Sequence, residues 1–237
     1  MIKLNTILDI NELESEIDQG YISSRLHSTL PYRILNYTTK TQIEWHWNKS
    51  TINCRGLIVD DQRNIIARPF KKFFTLEQWQ TLRNYVHNLY HVKYSEMFSG
   101  PFNVYSNEDG SLGILFWNPQ QSRYEIATRG SFNSDQAIKA TQILWNKYPD
   151  LKVDHENFTY LFEIIYPENK IVVDYGEKED IILLAVIENE TGKEISLYSG
   201  NINGFSDNNK LPKNISCVKL CKFYNWRNLD KLNWRNK

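Results

Sequence analysis

Cysteine is scarce in this chain: Cys54, Cys217 and Cys221 are the only thiols among 237 residues. An odd, sparse set builds no disulfide framework and fits a reducing compartment. The five histidines, His27, His46, His87, His91 and His155, are scattered, and none lies near Cys217 or Cys221, which argues against a structural zinc site. Net charge is also missing. With 28 basic and 28 acidic residues the whole chain has no general attraction for polyanions. No apolar run approaches the roughly 20 residues that span a bilayer. Met1-Ile2-Lys3-Leu4-Asn5 lacks the apolar stretch of a signal peptide. No membrane partner and a cytoplasmic location are therefore expected.

What is present is globular: 41% hydrophobic, 14% aromatic and 24% charged residues exclude a disordered, collagen-like or coiled-coil chain. The length suits one large domain with a small appendage. Charge marks the division. From Lys210 to Lys237 eight cations face one acid, Asp230, which leaves residues 1–209 at minus seven and the tail at plus seven. We expect a domain over 1–209 and a basic, aromatic tail over 210–237.

Asp9-Ile10-Asn11-Glu12 reads as a capping box opening a helix to about Gln19, stopped by Gly20. Tyr32 to Thr38 is β-rich. Three hairpins follow the alternation and turn chemistry: Leu57-Ile58-Val59 with Ile65-Ile66-Ala67, Leu112 to Trp117 with Tyr124 to Thr128, and Ile181 to Ile187 with Lys193 to Leu197. Ser134 caps a helix to about Tyr148, with Ala137, Ile138, Thr141 and Trp145 on one face. Phe158 to Ile165 and Lys170 to Tyr175 read as further strands. Turns too short for parallel crossovers make the sheets mainly antiparallel, and the class α+β with flanking helices. Asn225-Trp226-Arg227-Asn228, echoed at Asn233-Trp234-Arg235-Asn236, is too short to be a folding repeat.

The segment Val104-Tyr105-Ser106-Asn107-Glu108-Asp109-Gly110-Ser111-Leu112-Gly113 is a polar step between two strands. It resembles the first motif of the covalent nucleotidyltransferases, Lys-x-Asp-Gly, and more narrowly that of the phage-type ATP-dependent RNA ligase 1 family, where Lys-Glu-Asp-Gly-Ser-Leu is typical. Four more segments stand in the family's order. They are Cys54-Arg55-Gly56-Leu57, Arg68-Pro69-Phe70-Lys71-Lys72-Phe73-Phe74, Thr128-Arg129-Gly130-Ser131 (arginine where lysine is usual) and Leu161 to Val172, followed by the turn Glu188-Asn189-Glu190-Thr191-Gly192.

The resemblance implies a ligase-type nucleotidyltransferase fold, and an activity joining 5′-phosphate and 3′-hydroxyl RNA ends through enzyme-AMP and RNA-adenylate. Its cofactors would be ATP and Mg2+ or Mn2+. Its partners would be RNA ends, tRNA among the candidates, and the protein would be a monomer. By resemblance Arg55, Lys72 and Arg129 are catalytic; Glu108, Asp109, Gly110, Phe74 and Glu163 bind the nucleotide; Glu163 also serves the metal. The residues alone agree that phosphoryl chemistry needs cations and metal around the triphosphate. They leave open that the three cations are merely solvated, that Phe74 fills the core, and that Glu163 faces solvent from a half-exposed strand. A carboxylate alternating with Phe162 and Ile164 is nevertheless costly without a partner.

Two departures limit the carry-over. Asn107 stands where the family has its nucleophilic lysine; an amide nitrogen is delocalised into its carbonyl and cannot attack phosphorus. Either an engineered trap or a natural pseudo-ligase that binds ATP or RNA without catalysis would look like this. A DNA ligase or capping enzyme is disfavoured by the residues flanking Glu108-Asp109-Gly110. The family's downstream Glu-Gly and Lys-x-Lys motifs are not found, Lys219-Leu220-Cys221-Lys222 being the nearest basic pair.

Overall fold

The computed structural model describes residues 1–75, 78, 101–197 and 215–225, with 101–104 and 220–225 as backbone alone. The chain divides into two compact units, Met1–Lys72 with Glu108–Cys217, and Phe73–Asn107 with Val218–Lys237. The expected boundary at 209/210 falls outside the described residues.

The first unit begins with helix α1 (Ile10–Asp18), then strands β1 (Ile22–Leu26) and β2 (Tyr32–Tyr37), short helices α2 (Thr39–Ile43) and α3 (Lys49–Asn53), and strands β3 (Arg55–Asp60) and β4 (Ile65–Ala67). These strands form a four-stranded sheet in the order β1-β2-β3-β4. In the second unit β5 (Pro101–Tyr105) pairs with a late strand, β11 (Leu220–Asn225). The first unit resumes with β6 (Ser111–Asn118), β7 (Arg123–Thr128), helix α4 (Asp135–Lys147), β8 (Phe158–Ile165), β9 (Asp180–Glu188) and β10 (Glu194–Ile195). These strands form a five-stranded sheet in the order β10-β9-β8-β6-β7. Among the described residues the pairings between these strands are antiparallel, with one isolated parallel bridge between Leu183 and Cys217.

Strand alternation distributes the apolar residues over three cores. Ile34, Ile58 and Ala67 of the four-stranded sheet meet Ile114, Phe116, Ala127 and Leu161 of the five-stranded one. Their immediate neighbours point outward. Leu35, Leu57 and Val59 are covered by the N-terminal segment and α1 through Leu4, Leu8 and Leu13. Leu115, Phe162 and Ile164 are covered by α4 through Ala140, Ile143 and Leu144. Both sheets of this unit are thus buried on two faces, which is why several strands read as nearly continuous apolar runs.

Local signals explain most boundaries. Asp9 accepts from the Glu12 amide at 3.0 Å, and Gly20, at φ 78°, takes the left-handed turn that ends the first helix. The expected capping box is only half made, because the Glu12 carboxylate turns to the Ser50 hydroxyl at 2.6 Å. A full box does open α3, where Asn48 and Thr51 bond reciprocally. On α4 the buried stripe is Ala137, Ala140, Ile143 and Leu144, and Ile138 is 48% exposed. That is a rotation by about one residue from the expected face. Thr141 and Trp145 do face β7: the Thr141 hydroxyl accepts from the Ile126 amide at 2.9 Å and the Trp145 indole donates to the Tyr124 carbonyl at 2.7 Å.

Lys170 to Tyr175 is not a strand. After a 3-10 turn at Pro167–Asn169 it runs as an irregular strap, with Ile171 and Val172 64% and 79% exposed. β-branched composition suggested pairing, but the strap's amides bond to a carboxylate rather than to a sheet edge, as described below.

Arg68, just beyond β4, is buried. Its guanidinium donates to the carbonyls of Asn189 and Glu190 at 2.9 and 2.6 Å, tying the Glu188–Gly192 turn to the four-stranded sheet. Cys54 and Cys217 are free thiols.

Candidate nucleotide site

Arg55 begins β3 and is re-aimed by a bulge. Leu35 pairs with Leu57 while Asn36 pairs with Arg55, so Gly56 is the extra residue, and its φ of 90° is open to glycine but not to ordinary side chains. The bulge breaks the strand's alternation and takes Arg55 out of phase with Leu57 and Val59. Gly56 is also pressed close: a Cβ there would stand 2.5 Å from Ile114 Cδ1 and 3.1 Å from the Arg129 Cα. The strand thus delivers Arg55 beside Arg129.

Arg129 lies in the tight turn after β7, where the Thr128 amide donates to the Ser131 carbonyl at 2.9 Å. Its Nη1 donates to the Tyr37 hydroxyl at 3.0 Å, and its guanidinium stands 5.1 Å from the Tyr37 ring centroid. The same hydroxyl interacts with Arg55. Lys72 is tethered by its backbone, donating to the Ile52 carbonyl at 2.8 Å, while its ammonium sits 5.6 Å from the Trp47 ring centroid. Tyr37 and Trp47 meet edge to face at 5.0 Å. Burial, then Arg55 and Arg129, pull the Lys72 ammonium below the usual lysine range. Burial also lowers Arg55, with Tyr37 and Glu163 opposing and Arg129 assisting. Three cations repel one another across a partly desolvated cradle, so an anion placed among them would relieve that repulsion.

The acidic side is organised around β8. Glu163 alternates with Phe162 and Ile164, which face α4, so its carboxyl lies on the other face of the sheet. Burial foremost, then the charges of Asp109 and Glu108, push it up to about 7, against a hydrogen bond from the Gly110 amide and the attraction of Arg55. The turn Glu108-Asp109-Gly110 is packed onto β8 without room for a side chain: a Cβ on Gly110 would stand 2.3 Å from the Ile164 carbonyl oxygen. Asp109 Oδ2 accepts from the Val172 and Val173 amides at 2.5 and 2.7 Å, and these bonds hold its carboxyl below the ordinary carboxylate range. The Tyr175 hydroxyl accepts from the Asp109 amide at 2.8 Å and donates to Glu108 Oε2 at 3.2 Å.

The first unit therefore brings together Arg55, Lys72, Arg129, Glu108, Asp109, Gly110 and Glu163. Asn107, exposed, and Phe74, buried, belong to the second unit. Sequence reading missed Tyr37, Trp47 and Tyr175. Tyrosine and tryptophan in an aromatic-rich chain carry no motif of their own, and only the fold sets them under the cations and beside the acids. Among the described residues no group of three or more His, Cys, Asp or Glu converges on a point. A divalent ion here would share Glu163 with substrate phosphates, the usual manner of magnesium.

Residues 53–233 match the family model described as RNA ligase. An RNA ligase of Rhodothermus phage RM378 is 28% identical over 202 residues, covering 69% of this chain and 45% of that protein. An archaeal ATP-dependent RNA ligase structure, 16% identical, superposes with a TM-score of 0.55 over 93% of this chain and 52% of the other. The chain spans about half the length of these two proteins. The last likeness is one of fold, that of the nucleotidyltransferase domain in ATP-dependent ligases. Motif order, site and family match converge, and the chain belongs to the phage-type ATP-dependent RNA ligase family.

Proposed function

We propose that this chain is the adenylyltransferase domain of an ATP-dependent RNA ligase that joins 5′-phosphate to 3′-hydroxyl RNA ends through enzyme-AMP and RNA-adenylate, and that Asn107 holds it at ATP binding. The observation that carries the reading is the cradle: Arg55, Lys72 and Arg129 gathered over Tyr37 and Trp47, facing Glu163 and the Glu108-Asp109-Gly110 turn.

In this reading the three cations take the phosphates of ATP. They offset ground-state charge and favour the charge that develops toward the leaving pyrophosphate. Glu163 receives the ribose hydroxyls or a metal-bound water. Magnesium or manganese, when bound, supplies charge neutralisation at the triphosphate. Glu163 is suited to holding it, because a carboxylate kept partly protonated by burial and acidic neighbours gains most from a cation. Asn107 adjoins the acidic turn, but its amide nitrogen has no lone pair available to attack phosphorus, so no phosphoramidate forms. A non-catalytic ATP- or RNA-binding role is the second reading, and Asn107 is the observation that favours it.

Titration calorimetry with Mg·ATP should show binding by the parent, weakened about tenfold or more in Arg55→Ala and in Lys72→Ala, since each removes a charge-assisted contact. Unchanged affinity in both variants would remove the proposed pocket. With α-labelled ATP the parent should retain no label after denaturation, whereas Asn107→Lys should acquire it. A stable adduct on the parent would contradict the role given to Asn107.

A further inference from the structure

The strap Lys170–Gly176 starts in the last residues of the Leu161 to Val172 segment and runs beyond it, and it makes four hydrogen bonds to the acidic turn. The Val172 and Val173 amides saturate Asp109 Oδ2, and the Tyr175 hydroxyl bridges the Asp109 amide and Glu108 Oε2. The strap is itself braced at both ends. Asn169 takes the Ser111 hydroxyl at 3.0 Å and donates to the Ile164 carbonyl at 2.7 Å, while Lys170 pairs with Asp174 at 2.7 Å and Asp174 accepts from the Gly176 amide at 2.8 Å. An irregular segment whose apolar side chains face solvent buries little of its own surface. Its order must come from these bonds.

We propose that Tyr175 is a positioning residue: its hydroxyl locks the strap onto the Glu108-Asp109 turn, and the locked turn sets the acidic wall of the nucleotide site. The hydroxyl serves as acceptor to one residue and donor to the next, so a single group fixes both the turn's backbone and the side chain of Glu108. Asp109 acts here through its oxygen, as the acceptor that folds the strap's amides around it. The inference rests on the nucleotide reading of the cradle for its consequence in binding, but the lock itself is independent of any ligand.

Tyr175→Phe keeps the ring and removes only the hydroxyl, so the variant should melt within about 4 °C of the parent, as the loss of two partly exposed hydrogen bonds warrants. Hydrogen exchange should then rise several-fold in peptides covering 108–113 and 168–178 and nowhere else. Mg·ATP affinity should fall about fivefold, and saturating Mg·ATP should restore the lost protection, because coupling between lock and ligand is reciprocal. Asp109→Ala, as a second variant, should open the same two peptides. Unchanged exchange in both variants overturns the lock. Raised exchange with unaltered ATP affinity overturns its positioning role. A parent that binds no ATP defeats the nucleotide reading and the positioning role, while exchange still decides whether the lock exists.

Discussion

Glu163 shows how a single carboxyl registers the whole site. Unfolded it would titrate near 4.5, whereas folded it is pushed up to about 7 by burial and by Asp109 and Glu108. The folded chain binds that proton more tightly, so the group's contribution is best at low pH and is lost as pH rises between those values. The cost approaches roughly 2 kcal/mol once the side chain's partial exposure is allowed for. Glu163→Gln, neutral and nearly the same shape, should therefore gain stability relative to the parent as pH rises from 5 to 8 in metal-free buffer. Urea midpoints at several pH values measure the difference, which also cancels every other titrating group. Parallel pH profiles for parent and variant would mean that Glu163 ionises as freely as an exposed acid. The cation side is constrained differently. Arg129 is held by the hydroxyl and ring of Tyr37, and Lys72 by its backbone bond to the Ile52 carbonyl with its ammonium near the Trp47 ring.

At the scale of elements, the strongest sequence signals were local ones, and those are the ones the structure keeps. The three hairpins, the cap at Ser134 and the stop at Gly20 each depend on a few adjacent residues. The misreadings were non-local. Lys170 to Tyr175 has strand composition, but its partner is the Asp109 carboxylate rather than another strand, and composition does not encode that choice. The α4 stripe was misplaced by one position because Ile138 looks like core, yet Ala137 and Ala140 are the residues small enough to let the helix lie close on β7. The acids and cations of the site were legible as motifs, while Tyr37, Trp47 and Tyr175 were not, since their roles exist only once β2, the α2–α3 connection and the strap are in place. Gly56 joins the two kinds of signal: the motif shows the glycine, and the bulge explains it. Gly56→Ala should cost about 2–4 kcal/mol, from the positive φ and from the Cβ pressing on Ile114 and the Arg129 backbone. It should also weaken Mg·ATP binding by displacing Arg129. Urea denaturation and calorimetry on the same preparation read both, and a stable variant with parental affinity would show that the bulge does not set the cradle.

The whole molecule is neutral by cancellation, with an acidic body and a basic tail. Beside the cradle that we propose for ATP, the tail sequence supplies a second run of cations, in which Arg227, Lys231, Arg235 and Lys237 interleave with Trp226 and Trp234. Cations along a chain give salt-dependent affinity for phosphates, and indole faces stack unpaired bases at roughly 1–3 kcal/mol each. Removing residues 226–237 tests the tail without cutting into β11, which ends at Asn225 and pairs with β5. The truncated chain should bind a single-stranded RNA bearing a 5′-phosphate more weakly. Its log affinity should also fall less steeply with log salt, by up to about 3 if all four cations reach phosphates at about 0.7 per contact. Mg·ATP binding should be unchanged, because none of the cradle's residues is removed. A truncation that leaves both RNA affinity and salt slope as they were would make the tail's charge a counterweight to the acidic body and nothing more. A loss of ATP binding along with RNA binding would instead tie the tail to the fold of the nucleotide site.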